Sequence, residues 1–439
     1  MKHNITLCQV AMSVTDLKTT FAWYQDMFGF LPSGGTEEFC GPLFEAIQGI
    51  PDVASKTLWA VDQQEFFQLE FFQFKSPEVR PLPKDWRPCD IGYNALGLHV
   101  ADFDATLARL ETAGTKLLSA PAGSKGSRRV CVKDPEGVLL EIMEDDPCAA
   151  DATPRPRPKV PVAVRSVTMS VPDLEKSKKV FIDAFGLKEA AGVTLHTPEQ
   201  EALLGLEGAK RKELLLLAGD ILLEVVQYLD PVGKPWPEKY RISDQGLLNV
   251  AFGCKNAQVF NETYARCIAA GYEGNSDPVV TPNGGMIYFN DDQGFSIEML
   301  FVDDAMAAQV GFQTVGTFEK ADHILDPLPD LGGAMVRVSI LYPNKPDGNF
   351  NQEYYASTHA ELVSELLSPW GLVRIEIDQG LCGVAPGSSA PFVAAGHLYF
   401  KDLVDFQAAF VKHGSKLMRD MPNYTNIEPQ IQISAVVKN

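Results

Sequence analysis

Four carboxylates interrupt apolar strand-like runs, where an ionised side chain is costly to bury. Glu141 and Glu298 each follow a tight turn, and Glu70 and Glu224 lie in two further apolar runs. A carboxylate in such surroundings is expected to be hydrogen-bonded, paired with a cation or bound to a metal. These four residues are therefore candidates for acid–base or metal-binding chemistry.

The surroundings of these carboxylates are duplicated along the chain. Glu298 follows Glu141 by 157 positions, and Val14-Thr15-Asp16-Leu17 returns at the same interval as Val171-Pro172-Asp173-Leu174. Two half-chains thus share one plan, and such an internal repeat governs the fold prediction. In the first copy, the pattern predicts a strand over residues 5–14 and a helix that Asp16 caps and Gly29 ends. Each half-chain is predicted to contain two β-α-β-β-β units.

Composition restricts the class of protein. The 439 residues carry a formal charge of −19, which disfavours nucleic acid and anionic membrane surfaces as partners. We find no apolar run near the roughly 18 residues that cross a bilayer, and no secretory signal. The eight cysteines lack CxxC spacing and are expected to be reduced thiols. Composition therefore predicts a soluble, acidic, cytoplasmic protein and says nothing about its chemistry.

Proline-rich stretches indicate where the domains end. A third pattern, β-α-β-β-α-β, begins near Ala334 and is typical of a ferredoxin-like domain. Within the first half-chain, the long proline-rich loop from Ser76 to Asp90 is expected to cover a pocket. The predicted organisation is a domain over residues 1–148, a linker over 149–161, a domain over 162–302, a connector over 303–333 and a domain over 334–439.

Several motifs connect the first two domains to a known family. Val14-x-Asp16-Leu17, the run from Trp23 to Phe30 and the closing run from Asp134 to Glu141 occur in order, and the second half-chain repeats the plan. Residues 3–146 and 162–302 therefore resemble the vicinal oxygen chelate superfamily of glyoxalase, bleomycin-resistance and extradiol dioxygenase proteins. The resemblance implies an α+β fold of two tandem paired βαβββ domains, with metal ligands from the first and last strands of each unit.

The resemblance also implies ligand positions. A cation, if the first two domains bind one, is expected at Gln9, Glu70 and Glu141, an all-oxygen set that suits Mn²⁺ or Mg²⁺. The alternative is that the carboxylates are only hydrogen-bonded in a cleft without metal. Ala95 stands where glyoxalase-like enzymes carry a histidine, and His99, four residues later, is expected to contact substrate together with Glu70. The eight implied positions are Gln9, Glu70, Ala95 and Glu141 in the first domain, and Ser166, Glu224, Asn249 and Glu298 in the second.

The third domain resembles the EthD-like family of dimeric α+β barrel proteins over residues 334–438. The resemblance rests on the runs from Phe350 to His359, from Ala395 to Phe400 and from Asp420 to Thr425. It implies a homodimer and a pocket in which His359 acts as acid or base, with Tyr355 and Tyr424 positioning substrate. The alternative is that His359 only makes hydrogen bonds. His397, on a strand, is a weaker candidate for substrate binding.

Together these features predict a glyoxalase-like lyase or isomerase acting on an oxygenated compound, aromatic compounds included. The catalytic candidates are His359, Tyr355, Tyr424 and Glu141. A protein that binds a small molecule without catalysis is the alternative. An extradiol dioxygenase is disfavoured, since it needs two histidines on iron and none of the seven histidines is at a ligand position.

Overall fold

The protein is described from a computed structural model that defines residues 5–62, 64–148, 161–281, 283–307, 309–314, 335–385 and 387–437. The chain divides into two compact units. The first unit contains both half-chains, and the second contains the C-terminal domain together with residues 40–47 and 279–281. The architecture is mixed α+β, as the sequence predicted.

The first half-chain follows the predicted plan of two units with two differences: an additional short helix lies between its second and third strands, and two strands rather than three follow its last helix. The Asp16 side chain accepts a hydrogen bond from the Thr19 amide and begins the first helix, and Gly29 ends it at a φ of 81°. The strands are β1 (Thr6–Ser13), β2 (Leu31–Cys40), β3 (Ala54–Val61), β4 (Gln68–Ser76), β5 (Gly92–Val100), β6 (Arg129–Lys133) and β7 (Leu139–Met143), and the helices are α1 (Leu17–Phe28), α2 (Pro42–Gln48) and α3 (Phe103–Thr112).

The second half-chain repeats this plan, again with an additional short helix in its first unit, but three strands follow its last helix as predicted. Its first helix was predicted as one α-helix from Asp173 to Phe185, but the α-helical part α4 (Leu174–Lys178) continues as a π-helical turn, Lys179–Ala184. The strands are β8 (Val162–Ser170), β9 (Lys188–Glu189), β10 (Lys210–Leu217), β11 (Leu222–Asp230), β12 (Gly246–Cys254), β13 (Val279–Val280), β14 (Gly284–Asn290) and β15 (Ser296–Val302), and the other helices are α5 (Pro198–Leu203) and α6 (Ala257–Ala269).

The strands of the two half-chains pair with each other. In the first sheet β1 is parallel to β4 and antiparallel to β12, within the order β14-β15-β12-β1-β4-β3-β2. In the second sheet β5 is antiparallel to β8, within the order β6-β7-β5-β8-β11-β10-β9. Each sheet therefore takes one βαβββ unit from each half-chain, and neither is confined to one of the domains predicted from the sequence.

The C-terminal domain has the predicted β-α-β-β-α-β order. Its strands are β16 (Val336–Pro343), β17 (Leu372–Gln379), β18 (Phe392–Phe400) and β19 (Gln430–Ala435). They pair in the order β17-β18-β16-β19. Val336, Val338 and Phe400 pack with the helices in one buried cluster. The first helix consists of Gln352–Tyr354, a π-helical turn Tyr355–His359 and Ala360–Leu367, and the second helix spans Leu403–Asp420.

Candidate functional site

The first candidate site, cluster A, lies on the central strands of the first sheet. Strand register places Glu298 and Gln9 in one row across the sheet and Glu70 and Asn249 in the neighbouring row. Because side chains alternate between faces along a strand, the four point from the same face. We define cluster A as Gln9, Glu70, Asn249 and Glu298.

Burial controls the charge of the two carboxyl groups in cluster A. Glu70 and Glu298 are only 4% and 2% exposed. Burial and the neighbouring Glu298 raise the pKa of Glu70 well above its usual value. Burial also raises the pKa of Glu298, to about 8, although Tyr288 and Asn249 act in the opposite direction. The pair therefore retains a proton at neutral pH when no cation is bound.

The polar atoms of cluster A are suited to a cation. Buried Gln9 Oε1, Asn249 Oδ1 and Glu298 Oε2 have no hydrogen-bond partner in the described part of the chain. Trp59 donates Nε1–H to Glu70 Oε1 over 2.8 Å and so orients that carboxylate. Unpaired buried acceptors are unfavourable by themselves, and carboxylate and amide oxygens are the ligands that Mg²⁺ and Mn²⁺ prefer. The residues present therefore fit a hard divalent cation.

The segment after β15 covers cluster A. Phe312 stacks on Phe66 with ring centroids 4.6 Å apart. Gln68, on the same face as Glu70, donates to the Val310 carbonyl over 3.2 Å. At Gly311 a Cβ atom would lie 2.7 Å from the Trp59 ring, so only glycine allows the backbone to approach this closely. The segment therefore packs beside the carboxyl pair, which is almost fully shielded from solvent.

The second candidate site, cluster B, occupies the matching place in the second sheet. Glu141 and Ser166 share one row across that sheet, and Ala95 and Glu224 share the next. These are the register positions of Glu298, Gln9, Asn249 and Glu70 in the first sheet, in that order. We define cluster B as Glu141, Glu224 and the charged side chains that contact them, His196, Arg129 and Arg211, with Glu201 on Arg211.

His196 bridges the two carboxylates of cluster B. Its Nε2 lies 3.0 Å from Glu141 Oε2 and its Nδ1 2.8 Å from Glu224 Oε2. The two carboxylates raise the pKa of His196 well above its usual value despite the opposing effect of burial. The pKa of Glu224 falls to about 2, because His196, Arg211 and Thr168 outweigh the effect of its burial. The imidazolium therefore lies where the sequence places metal ligands.

Arginines complete the neutralisation of cluster B. Arg211 contacts Glu224 at 3.0 Å and Glu201 at 2.9 Å, and Arg129 Nη1 lies 3.5 Å from Glu141. His196, Glu201 and Glu224 each offer an atom within 4.8 Å of the others, a spacing that could hold a metal. A cation there would have to displace contacts of His196 and Arg211. Cluster B is thus less suited to a metal than cluster A.

The predicted metal set Gln9, Glu70 and Glu141 is not brought together. Gln9 and Glu70 are in the first sheet, whereas Glu141 is on β7 of the second and contacts His196. This grouping is corrected because the first half-chain contributes strands to both sheets. Gln9 and Glu70 therefore lie in one sheet and Glu141 in the other. His99 lies farther along β5, opposite Met143 and Ala163, and does not join the hydrogen bonds of cluster B.

In the C-terminal domain, the structure brings His359, Tyr355 and Tyr424 together. The His359 ring stacks on Tyr355, with centroids 5.4 Å apart, and lies 4.6 Å from the Tyr424 ring. His359 Nδ1 is 2.8 Å from Asp420 Oδ2. Burial lowers the pKa of His359, and Asp420 partly offsets that effect. A neutral imidazole held by a carboxylate is suited to proton transfer.

His397 is separate from this histidine–tyrosine group. Its Nδ1 lies 2.9 Å from Ser339 Oγ and its Nε2 3.3 Å from Asp378. The Tyr355 hydroxyl approaches the sheet at Gly396, and alternation along β18 places the neighbouring His397 on the other face. The predicted substrate-binding role of His397 therefore does not concern the pocket of His359.

Sequence comparison agrees with the geometry. Models of the glyoxalase/bleomycin resistance protein/dioxygenase superfamily match residues 8–132 and 163–299, which together are more than half of the chain. The chain belongs to this superfamily. An EthD domain model matches residues 349–428, so two glyoxalase-superfamily domains precede an EthD domain. A search of curated proteins gave no match.

Solved structures resemble the chain over part of its length. An EthD-like protein from Ralstonia eutropha JMP134 is 32% identical over 24% of this chain and 95% of its own length, with a TM-score of 0.24. Glyoxalase I from Zea mays is 17% identical over 68% of this chain and 92% of its own, with a TM-score of 0.46. A putative dioxygenase from Bacillus subtilis is 14% identical over 75% and 99%, with a TM-score of 0.49.

The superfamily is consistent with an enzyme or a binding protein for small molecules. No helix in the described ranges is long and apolar enough to cross a membrane. His196 was not predicted, since it lies in a loop that carries no ligand motif. The only indication in the sequence was indirect: Ala95 and Ser166 are small, and small residues leave room for a side chain from elsewhere.

Proposed function

We propose that cluster A is the reaction centre of a lyase or isomerase that moves a proton on a small molecule with two adjacent oxygen atoms. The observation that carries the proposal is the buried, mutually repelling pair Glu70 and Glu298, beside unpaired amide oxygens. Perturbed carboxyl groups of this kind mark functional sites more often than ordinary structural positions. The catalytic candidate Glu141 is thereby replaced by Glu298, its counterpart in the repeat.

The four side chains of cluster A would hold a divalent cation. Gln9 and Asn249 would contribute amide oxygens, and Glu70 and Glu298 carboxylate oxygens. A bound cation supplies polarisation of a substrate oxygen, which acidifies the adjacent C–H bond. Mn²⁺ and Mg²⁺ fit this donor set better than Zn²⁺.

A side chain of the protein would carry the transferred proton. In the cation-free site, burial raises the pKa of Glu298 to about 8, and a carboxylate whose pKa lies near neutrality is an effective base at that pH. Glu298 would take the proton from one substrate carbon and return it to the neighbouring atom. Trp59 holds Glu70 in place through its hydrogen bond, and the cover at residues 309–314 would keep water from the site. Substrate entry requires that this cover move.

Metal content tests the proposal first. The protein, loaded with Mn²⁺ and then desalted, should retain about one ion per chain, and Glu298→Gln should abolish that retention. Glu141→Gln is the matched control, because it changes the repeat counterpart in cluster B and should leave retention intact. Retention that survives Glu298→Gln but is lost in Glu141→Gln would move the metal to cluster B and contradict the assignment.

Proton transfer is tested separately. A panel of α-hydroxy ketones in D₂O, followed by NMR, should show exchange of the C–H next to the carbonyl only with protein whose Glu298 is intact. A non-catalytic binding protein is the second candidate, favoured by the cover that buries cluster A. That function would give saturable binding of a panel member without exchange. Exchange that persists in Glu298→Gln but stops in His359→Asn would place the chemistry in the EthD domain.

A further inference from the structure

A cavity of about 340 Å³ lies between the two loops that connect the βαβββ units. Residues 80–94 line one wall, residues 234–247 line the other, and Val138 lines part of the rest. The volume lies within the range of roughly 300–1,000 Å³ that is common for small-molecule sites. Its lining includes no residue of cluster A or cluster B. The proline-rich loop predicted to cover a pocket lines this one.

Hydrogen bonds between the two loops hold the cavity open. Arg80 pairs with Asp244 through its guanidinium, with Nε 2.9 Å from Oδ1. The Gln245 amide donates to the Arg80 carbonyl over 3.0 Å, and the Ile91 amide donates to the Lys234 carbonyl over 2.9 Å. Both walls are therefore fixed to each other before any ligand arrives, which lowers the entropic cost of binding.

Four aromatic side chains contribute to the lining. Trp86, Tyr93, Trp236 and Tyr240 all border the cavity. Trp236 stacks on Tyr240 at 4.2 Å, and its Nε1–H is already donated to the Gln293 carbonyl over 3.1 Å. The ring therefore offers apolar surface rather than a donor. Such a wall favours a planar aromatic ligand.

One buried polar atom in the lining lacks a partner. Asn94 is 2% exposed, and its Nδ2 donates to the carbonyls of Pro88 and Asp90, over 2.6 Å and 2.7 Å. These two bonds fix the amide orientation, so Oδ1 is the atom left without a partner among the described residues. A Cβ on Gly92 would lie 3.0 Å from this Oδ1 and 3.5 Å from the Trp236 ring. The unpaired acceptor is thus beside the aromatic wall, where a ligand donor would satisfy it.

Charge in the lining is balanced. Arg80 pairs with Asp244, and Lys234 pairs with Asp85. Asp90, the remaining charged lining residue, pairs with Arg87 at 2.6 Å. With no unpaired charge to compensate that of an ion, the cavity favours a neutral ligand.

We propose that this cavity is a binding site for a neutral, planar aromatic molecule with a hydroxyl or amino donor. The donor bonds Asn94 Oδ1, and the ring lies against Trp236 between the two connecting loops. The site is distinct from cluster A, and the proposal does not depend on the reaction proposed there.

Calorimetric titration with 1-naphthol tests the site in the full chain. We expect saturable binding of one molecule per chain. 1-Methoxynaphthalene, which has no donor, should bind about tenfold more weakly, as expected for one lost hydrogen bond. Naphthalene-1-sulfonate, which is charged, should not bind. Absence of saturable 1-naphthol binding, or equal affinity for the methoxy compound, would overturn the proposal.

Filling the cavity locates the binding. Leu82→Trp should weaken 1-naphthol binding at least about tenfold, and the milder Leu82→Phe serves if the first variant does not fold. Leu118→Trp is the matched control, because Leu118 is exposed and is not part of the lining. Glu298→Gln should leave the affinity unchanged. Binding unaffected by Leu82→Phe and Leu82→Trp, or abolished by Glu298→Gln, would assign the ligand to another place and refute this site.

Discussion

Clusters A and B occupy matching register positions in the two sheets but stabilise their carboxylates in different ways. In cluster A, Glu70 and Glu298 face two amides, and their pKa values are raised. In cluster B, the corresponding pair is bridged by His196, and the pKa of Glu224 falls to about 2. Cluster A is therefore suited to a bound metal cation, whereas in cluster B the protonated His196 side chain supplies the positive charge.

Side-chain size at two positions accounts for the difference. Where cluster A has Gln9 and Asn249, cluster B has Ser166 and Ala95. The smaller residues leave space that the His196 ring fills from its loop. Two copies of a repeat can therefore share a pair of buried carboxylates and still differ in the chemistry that the pair can perform.

We expect the largest loss of stability when the positively charged His196 side chain is removed from cluster B. His196→Leu leaves Glu141 and Glu224 without their bridging imidazolium, and we expect the free energy of unfolding at pH 7 to fall by about 3–5 kcal/mol. Urea denaturation measures this. Asn249→Leu in cluster A, where no ion pair is broken, should change stability far less. Similar losses in both variants would remove the distinction between the clusters.

The next effect is on the pH dependence of stability. In EDTA-treated protein, Glu298 has a pKa of about 8 when folded and near 4.5 when unfolded. The folded state thus binds the extra proton, so this stability is fully present below about pH 4.5 and is lost as the pH rises through about 8. The difference in unfolding temperature between wild type and Glu298→Gln should follow that change. A pH-independent difference would contradict the raised pKa.

Glu224 should show the opposite dependence. Its pKa is about 2 when folded and near 4.5 when unfolded. Its stabilisation is therefore present above about pH 4.5 and is lost as the pH falls through 2. The difference in unfolding temperature between wild type and Glu224→Gln should shrink on acidification. If the difference grew instead, cluster B would not be the ion-paired site.

A smaller effect is expected from the cover of cluster A. Gly311→Ala places a Cβ against Trp59 at a φ of 81°, and should cost about 1–3 kcal/mol. Gly208→Ala, at a φ of 73° with no atom within 4 Å, is the matched control for the backbone cost alone. Urea denaturation should show the larger loss for Gly311→Ala. Equal losses of unfolding free energy would mean that the close contact between residue 311 and Trp59 adds nothing to the backbone cost.

The smallest effect concerns the EthD domain and tests whether it acts separately from the clusters. Asp420→Asn removes the group that raises the pKa of His359, so an NMR titration should show that pKa falling further. Mn²⁺ retention should not change. A change in Mn²⁺ retention would show that His359 influences metal binding at cluster A, and would contradict the expectation that the EthD domain acts separately.

Much of the fold was predictable from local pattern. The Asp16 cap, the Gly29 helix end and the buried strands around Glu70 and Glu298 follow from spacing and turn chemistry alone. The assignment of partners was not predictable, because two similar βαβββ units satisfy the same hydrophobic pattern whichever copy they pair with. For that reason the carboxylates were identified correctly as buried, but Glu141 was grouped with the wrong sheet.

The exchange of strands between half-chains has a consequence for folding order. β1 pairs with β12 and β5 pairs with β8, so β1 and β5 cannot complete these pairings until the second half-chain has been synthesised. Contacts between distant segments form slowly, since a long loop must close first. Until the second half emerges from the ribosome, the first half exposes two open sheet edges. Conversely, fragments 1–148 and 161–439 made as separate chains retain every complementary edge needed to assemble with each other.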